Sequence, residues 1–365
     1  MNISRQAALF YVSFVSQLRL CIITFFSWLL FKQHNSYKKI LVNRDGAFGD
    51  SIVAIPAISI IRQNYPGAQI DLLSINNDVV SFNSLGLQKG LVDNLYIVNK
   101  KERAEKLRTL KQEGYDLFIQ IPQNIGIYKT LRNMLLVRFY LKIKNGFGWD
   151  SGRIKSFMHY QKYGRSIPTE TQRFINTLRK HGLTGKINYP LLPQTPAPNT
   201  LEKLNGPNKP IAFLIGGKLQ PKKWPLEHWA SLASLIGPSE TILLIGGEAE
   251  TEEAKCIVEQ TKNTHNLCGK LTIPELNYVL KNAKIAISLD TGAMHLCDAT
   301  ETKQVVLFST RDLSNKWFPN HNDSIVIEKV LPCSFCLKTM CDNNICMTQI
   351  TPKEVYEKVK KLISV

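Results

Sequence analysis

Acidic residues are scarce in the first part of this 365-residue chain. Residues 1–200 hold 27 Lys and Arg against 11 Asp and Glu, while the remainder holds 19 against 18. A basic first half beside a neutral second half suits an anionic partner: a membrane surface, a phosphorylated substrate or nucleic acid, a basic soluble surface being the plain alternative. Other absences narrow these options. There is no basic stripe interleaved with aromatics, no zinc-finger spacing with histidines and no ribonucleoprotein-type aromatic motif, which sets nucleic acid aside. There is no G-x-G-x-x-G, and no acidic residue placed for a dinucleotide ribose, which argues against an NAD site. Of the eight cysteines, Cys21, Cys256, Cys268 and Cys297 are scattered through segments that read as buried. That usage fits a reducing compartment better than a disulfide scaffold. At 44% apolar and 21% charged, the composition is that of a globular protein, long enough for two domains with their own cores.

Residues 7–31, "AALFYVSFVSQLRLCIITFFSWLLF", form the one long apolar stretch. It lacks an uninterrupted span, because Arg19 sits near its middle with Gln17, Ser13 and Ser16 close by, and a mid-membrane arginine costs several kcal/mol. It also lacks a small-residue cleavage site of the kind that ends a secretory signal. Arg5 precedes it, and Lys32, Lys38 and Lys39 follow. The segment reads best as a helix in the membrane interface with Arg19 snorkelling to headgroups; a spanning anchor and a helix packed on the protein itself are the alternatives.

From Lys39 onward, short apolar runs alternate with amphipathic helices, the pattern of a parallel sheet covered on both faces. "KILVN", "AQIDLLS", "VDNLYIV" and "YDLFIQI" read as strands, and "PAISIIRQNYP" as a helix opened by Pro56. The polar, proline-rich stretch 191–210 reads as a linker, after which the alternation restarts with "IAFLIGG", "TILLIGG", "KIAISLD" and "KQVVLFS". The expected organisation is an apolar membrane-associating segment 1–38, a Rossmann-like domain 39–190, the linker 191–210 and a second Rossmann-like domain 211–365. Two such α/β halves imply a cleft between them as the ligand site.

Ligands in this architecture sit beyond the carboxyl ends of strands. Four loops there carry chemistry. In "NRDGAFGDS", Gly46 and Gly49 permit close backbone approach, and Asp50 follows as a base or as a helix cap. Because Pro56 is read as the helix start, Asp50 is expected in the loop. In "GGKLQPKKWP", Lys218, Lys222 and Lys223 crowd a turn ahead of a helix, a setting that suits phosphate. In "GGEAETEE", Glu248 is the first carboxylate after a strand, fit for sugar hydroxyls or for the first turn of a helix. In "SLDTGAMHLCDA", Asp290, Thr291 and Gly292 open a helix bearing His295, and its N-terminus could take a pyrophosphate.

Taken together and in this order, the loops resemble the heptosyltransferase family, glycosyltransferase family 9, whose members add heptose to the inner core of lipopolysaccharide. "GAFGDSIVAIPAISIIRQNYPGAQIDLL" is similar to the family's opening signature, "KKWPLEHWASL" to its Lys-x-Trp-Pro element, and "SLDTGAMHLCDA" to its Asp-Thr-Gly-x-x-His-Leu element. The resemblance runs from about Lys39 to the C-terminus. It implies a GT-B architecture, two Rossmann-like domains facing a central cleft, here with an extra N-terminal apolar helix. It also implies an inverting reaction that needs no metal or other cofactor, with a nucleotide sugar, ADP-heptose, as donor. Asp50 falls where the family's catalytic base lies. Lys222 would stabilise the diphosphate; Asp290, Thr291, Gly292 and His295 match the donor-binding element, and Glu248 would meet the ribose. The implied acceptor is a phosphorylated lipopolysaccharide or lipooligosaccharide core, and the implied location is the cytoplasmic face of the inner membrane, peripheral or monotopic. "GGKLQP" departs from the family's usual residues ahead of Lys-x-Trp-Pro, and the loop "PQNIG" does not align with its acceptor contacts.

Two features stay open at this level. "CSFCLKTMCDNNIC" places Cys333, Cys336, Cys341 and Cys346 together, free or redox-active thiols or a candidate structural zinc site, although the second pair lacks C-x-x-C spacing. The same fold would also serve a non-catalytic glycolipid-binding protein, or a sugar-nucleotide epimerase or hydrolase.

Overall fold

The computed structural model describes residues 3–32, 36–74, 85, 90–99, 101–123, 126–149, 167–190, 192–196 and 209–364. The chain forms two compact units, Met1–Pro190 and Leu191–Val365. Most of the linker expected at 191–210 lies outside the described residues.

The first unit opens with α1 (Ile3–Leu30), followed by β1 (Lys39–Asn43), α2 (Phe48–Asn64), β2 (Gln69–Ser74), β3 (Asn94–Ile97), α3 (Arg103–Glu113) and β4 (Leu117–Gln120). After these come α4 (Ile127–Leu135), which continues as a π-helical turn Leu136–Tyr140, then β5 (Asn145–Phe147) and α5 (Glu170–Lys180). Its sheet is parallel throughout, in the order β3-β2-β1-β4-β5. The central strand β1 carries Ile40, Leu41 and Val42 without exposed surface, the continuous apolar run expected of a strand covered on both faces.

Helix α2 departs from the expected start. It begins at Phe48 and runs through Pro56, which stands inside it. Proline in a helix interior costs about 3 kcal/mol. Here every residue from Ser51 to Ile61 is buried, and that packing outweighs the lost hydrogen bond.

Helix α1 belongs to the first unit and is no separate segment. Ile23 and Phe31 are buried in the same core as Met134, Val137 and Trp149, with Phe26 and Leu30 packed against them. Phe31 and Phe118 stack on Trp149 at 5.4 and 5.1 Å, and Lys32 pairs with Asn145 beside β5. Each buried apolar side chain of this kind contributes about 2 kcal/mol. No helix among the described residues is long and apolar enough to cross a membrane.

The second unit contains β6 (Ile211–Leu214), a 3₁₀ turn Gln220–Lys222, α6 (Leu226–Ile236), β7 (Ile242–Ile245), a 3₁₀ turn Glu248–Glu250, α7 (Thr251–Glu259) and β8 (Thr264–Asn266). It continues with α8 (Ile273–Asn282), β9 (Ile285–Leu289), α9 (Gly292–Ala299), β10 (Gln304–Phe308), β11 (Ser324–Glu328), α10 (Ile345–Thr348) and α11 (Pro352–Ile363). Its parallel sheet has the order β11-β10-β9-β6-β7-β8. In each sheet the order of strand addition therefore reverses at one place, between β1 and β4 in the first unit and between β6 and β9 in the second. Such switch points leave a crevice at the strands' carboxyl ends.

Candidate active site

Asp50 stands at the switch point of the first sheet, but in the first turn of α2 and not in the preceding loop. Its Oδ2 accepts the backbone N–H of Ala47 at 3.0 Å, and Oδ1 accepts Arg44 Nη2 at 3.1 Å. Capping and ion pairing are thus both present, and capping does not occupy the group: the Asp50 side chain keeps 30% of its surface exposed while that of Arg44 keeps 5%. Arg44 also donates through Nη1 to Pro122 O, just past β4, at 2.8 Å, and its guanidinium lies 4.7 Å from the Phe174 ring. Burial lowers the Arg44 pKa, and the carboxylates of Asp50 and Glu170 oppose that shift. The arginine is a fixed support, and the carboxylate it holds faces outward.

Gly46 makes this seat possible. A Cβ built there would lie 2.4 Å from the Asp50 Cβ and 2.9 Å from its Cγ, so glycine is required for the carboxylate to fold back over the loop. Gly49, the other glycine expected to allow close approach, is a residue of the first turn of α2.

The second unit gathers Lys222, Asp290 and His295 at the β6/β9 switch point. Lys222, last in its 3₁₀ turn, meets Asp290 Oδ2 at 2.6 Å and donates to the backbone oxygen of Asp290 at 3.2 Å. An ammonium has three N–H donors, and Asp290 takes two of them. Asp290 directly follows β9, and Thr291, in extended conformation, caps α9 with Gly292 as its first residue. The first N–H groups of a helix have no intrahelical acceptor and carry the positive end of its dipole. His295 lies one turn into α9, buried, its Nδ1 without a partner among the described residues. Burial, reinforced by the Lys222 charge, pushes its pKa down to about 3. It is therefore a neutral imidazole beside an ammonium.

The remaining expected residues are placed differently. Lys218 and Glu248 are both exposed, Glu248 as the first residue of the 3₁₀ turn after β7. The buried carboxylate of that loop is instead Glu250, which accepts the N–H of Gly247 at 3.0 Å and lies 3.5 Å from Lys223 Nζ. Lys223 pairs with Glu253 at 2.7 Å; burial pulls its pKa down, and these two carboxylates more than restore it. Lys223 thus ties the β6 loop to α7, whereas Lys222 pairs with Asp290 after β9.

The four-cysteine cluster does not assemble. Cys333 and Cys336 are exposed and all four are free thiols, and no group of three or more potential metal ligands occurs among the described residues. Arg311 holds the intervening loop by donating to Lys338 O and Leu337 O at 2.7 and 3.0 Å. Cys346 Sγ meets Ser309 Oγ at 3.4 Å, and Cys341 Sγ donates to Asn343 Oδ1 at 3.6 Å. The segment buttresses the lysine loop: Cys341 N donates to Gln220 Oε1 at 3.0 Å, Asn344 Nδ2 to Lys223 O at 2.8 Å. The tryptophan of "KKWP" completes this support, with Trp224 Nε1 donating to Ile350 O at 2.9 Å. None of these supports carries a sequence signal, since each joins residues more than 100 positions apart.

Comparison with known proteins places this geometry. The lipooligosaccharide heptosyltransferase 2 of Campylobacter jejuni is 25% identical over 335 residues, covering 89% of this chain and 98% of that protein. A glycosyl transferase family 9 structure from Veillonella parvula superposes with a TM-score of 0.70 at 19% identity, covering 91% of this chain and 99% of that one. The Escherichia coli heptosyltransferase WaaC with ADP-2-deoxy-2-fluoro heptose gives a TM-score of 0.62 at 21% identity, covering 88% and 99%. These structures share the fold, an α/β GT-B architecture built on two parallel sheets. The model of glycosyltransferase family 9 (heptosyltransferase) matches residues 103–346, which contain the whole Lys222–Asp290–His295 cluster, and by that match the chain belongs to this family.

Proposed function

We propose that the protein transfers heptose from ADP-heptose to the inner core of a lipopolysaccharide or lipooligosaccharide, with inversion at the anomeric carbon, as a peripheral or monotopic enzyme of the cytoplasmic face of the inner membrane. The observation that carries this reading is the Asp50 carboxylate, accessible to solvent while the cation that holds it is sealed. An acceptor hydroxyl approaching Asp50 gives up its proton to the carboxylate as its oxygen bonds the anomeric carbon. The bond from that carbon to the diphosphate breaks, and ADP departs with the electron pair.

Charge then develops on the leaving diphosphate. The free N–H of Lys222 and the backbone N–H groups opening α9 are fixed donors for it, worth most where water is excluded. Asp290 keeps Lys222 in place, and neutral His295 offers a hydrogen bond without adding charge. Lys218 supplies a further phosphate contact at the rim, Thr291 a hydroxyl, and Glu248 an acceptor for the ribose hydroxyls.

The test is nucleoside diphosphate release from a panel of nucleotide sugars, with and without a deacylated core acceptor. Release from ADP-heptose only with acceptor is expected. Release without acceptor would mean hydrolysis or epimerisation, and no release from any donor would mean a glycolipid-binding protein.

A further inference from the structure

Among the described residues, the first unit leaves neighbouring large apolar side chains uncovered on α1 and α4. The second half of α1 is apolar on two sides: Ile23, Phe26 and Leu30 face the core, while Leu18, Phe25, Trp28 and Leu29 form an exposed stripe at i, i+7 and i+10/11. Trp28 alone exposes 75% of its surface. Helix α4, which packs on α1, does the same: Met134 is buried, while Tyr128 and, beyond it, Phe139 of the π-helical turn are 76% and 63% exposed. Single exposed apolar residues are ordinary, but two neighbouring helices with large outward aromatics mark an interaction surface.

The two segments that carry this surface hold charge of one sign. Neither residues 1–44 nor residues 117–149 contain a single Asp or Glu. Lys32, Lys129, Arg132, Lys142 and Lys144 are all exposed there. Self-association through this face would bring like charges together, and a neutral apolar partner would leave the basic residues unused. We propose that the outer faces of α1 and α4 are a docking surface for an anionic lipid bilayer. The two helices lie in the headgroup region, with Trp28, Tyr128 and Phe139 at the level aromatics favour and the basic residues on lipid phosphates. A 28-residue helix is about 42 Å long, and lying flat it is a broad contact for its size. This inference deepens the membrane location proposed above and is independent of the sugar transferred.

Sedimentation of the full chain with vesicles tests it. Binding to phosphatidylethanolamine–phosphatidylglycerol vesicles, weak binding to phosphatidylcholine and release by salt are expected. Trp28→Ser with Phe139→Ser should lower partitioning at least tenfold. Arg132→Glu with Lys142→Glu, at exposed positions that do not endanger folding, should lower it by at least about fivefold per residue. Both variants should release ADP normally with a soluble deacylated acceptor, which separates this proposal from the catalytic one: vesicle binding without turnover sinks only the latter. Equal binding to neutral and anionic vesicles overturns the docking proposal. So does no binding to either, or a wild-type dimer that Trp28→Ser converts to monomer.

Discussion

Each unit places one carboxylate–cation pair at the switch point of its sheet, and the two pairs differ in which partner meets solvent. In Arg44–Asp50 the cation is sealed and the carboxylate keeps 30% of its side-chain surface. In Lys222–Asp290 both partners are largely buried, at 16% and 7%, and the lysine is the more open one. Under the proposed function, this difference in burial matches two different roles. An exposed carboxylate on a rigid cation can take up a proton, whereas a sealed carboxylate serves only to aim the ammonium beside it. On the proposed reading, the same pairing of residue types serves as a base in one unit and as an anion site in the other.

The largest effect expected from this contrast is at Asp50. Asp50→Asn keeps the shape and the acceptor for the Ala47 N–H but turns an amide N–H toward the sealed Arg44, so a thermal melt should show a folded chain of lowered stability. Turnover should fall by about 10²–10⁴, the usual contribution of a positioned base. Full acceptor-dependent ADP release by this variant would break the comparison. Lys222→Met comes next. It removes one donor to the leaving group, which costs on the order of 10²-fold in kcat. It also strands Asp290 in a buried site, which costs about 3 kcal/mol or more in stability. Adding Asp290→Asn should recover much of that stability and none of the turnover, as urea unfolding and ADP release on the same variants would reveal.

Gly46→Ala sharpens the contrast from the other side. The added methyl would sit within 2.4 Å of the Asp50 Cβ, so the carboxylate must move. Displacements of about 1 Å can cost 10²-fold, and turnover should drop about tenfold or more. ADP affinity measured by calorimetry should stay as it was, because the anion site is in the other unit; a parallel loss of ADP binding would mean that Gly46 serves more than the base.

Much of this was legible in the sequence. Long apolar strands such as "KILVN" and "IAISL" announce themselves because a parallel sheet buries them on both faces. The strands that escape notice lie at sheet edges: the short polar "NGF" at β5 and "THN" at β8, and "SIVIE" at β11, which is apolar but only partly buried. Pro56 misleads for a related reason: local propensity says the helix begins there, while burial on both sides of the proline carries α2 eight residues further back. Asp50, Lys222, Asp290 and His295 were visible as strand-end residues. Arg44 was not, because its value lies in contacts to Pro122 and Phe174 that only the folded sheet creates. The cysteine spacing left a structural zinc and free thiols both open, and it could not show the segment's use of a backbone N–H and an asparagine against the lysine loop.

The smallest effect is a matter of pH. His295 is the buried neighbour of the sealed pair, and its folded pKa of about 3 lies below the ordinary 6.5. As pH falls through 6.5 the unfolded chain binds a proton at this position and the folded chain does not. Stability is therefore complete above pH 6.5 and declines as pH drops toward 3, by at most about 1.4 kcal/mol per unit. His295→Gln removes the titrating group, so the urea midpoint of the variant should fall less steeply between pH 6.5 and 4 than that of the wild-type chain. The Arg44–Asp50 pair has no histidine against it among its bonded neighbours. Acid in this range should thus loosen the second unit before the first, which fluorescence of Trp317, 6.3 Å from the His295 ring, would report in a chain whose other tryptophans are replaced. A first unit that loosened earlier would mean that proton uptake at His295 does not govern the sealed pair.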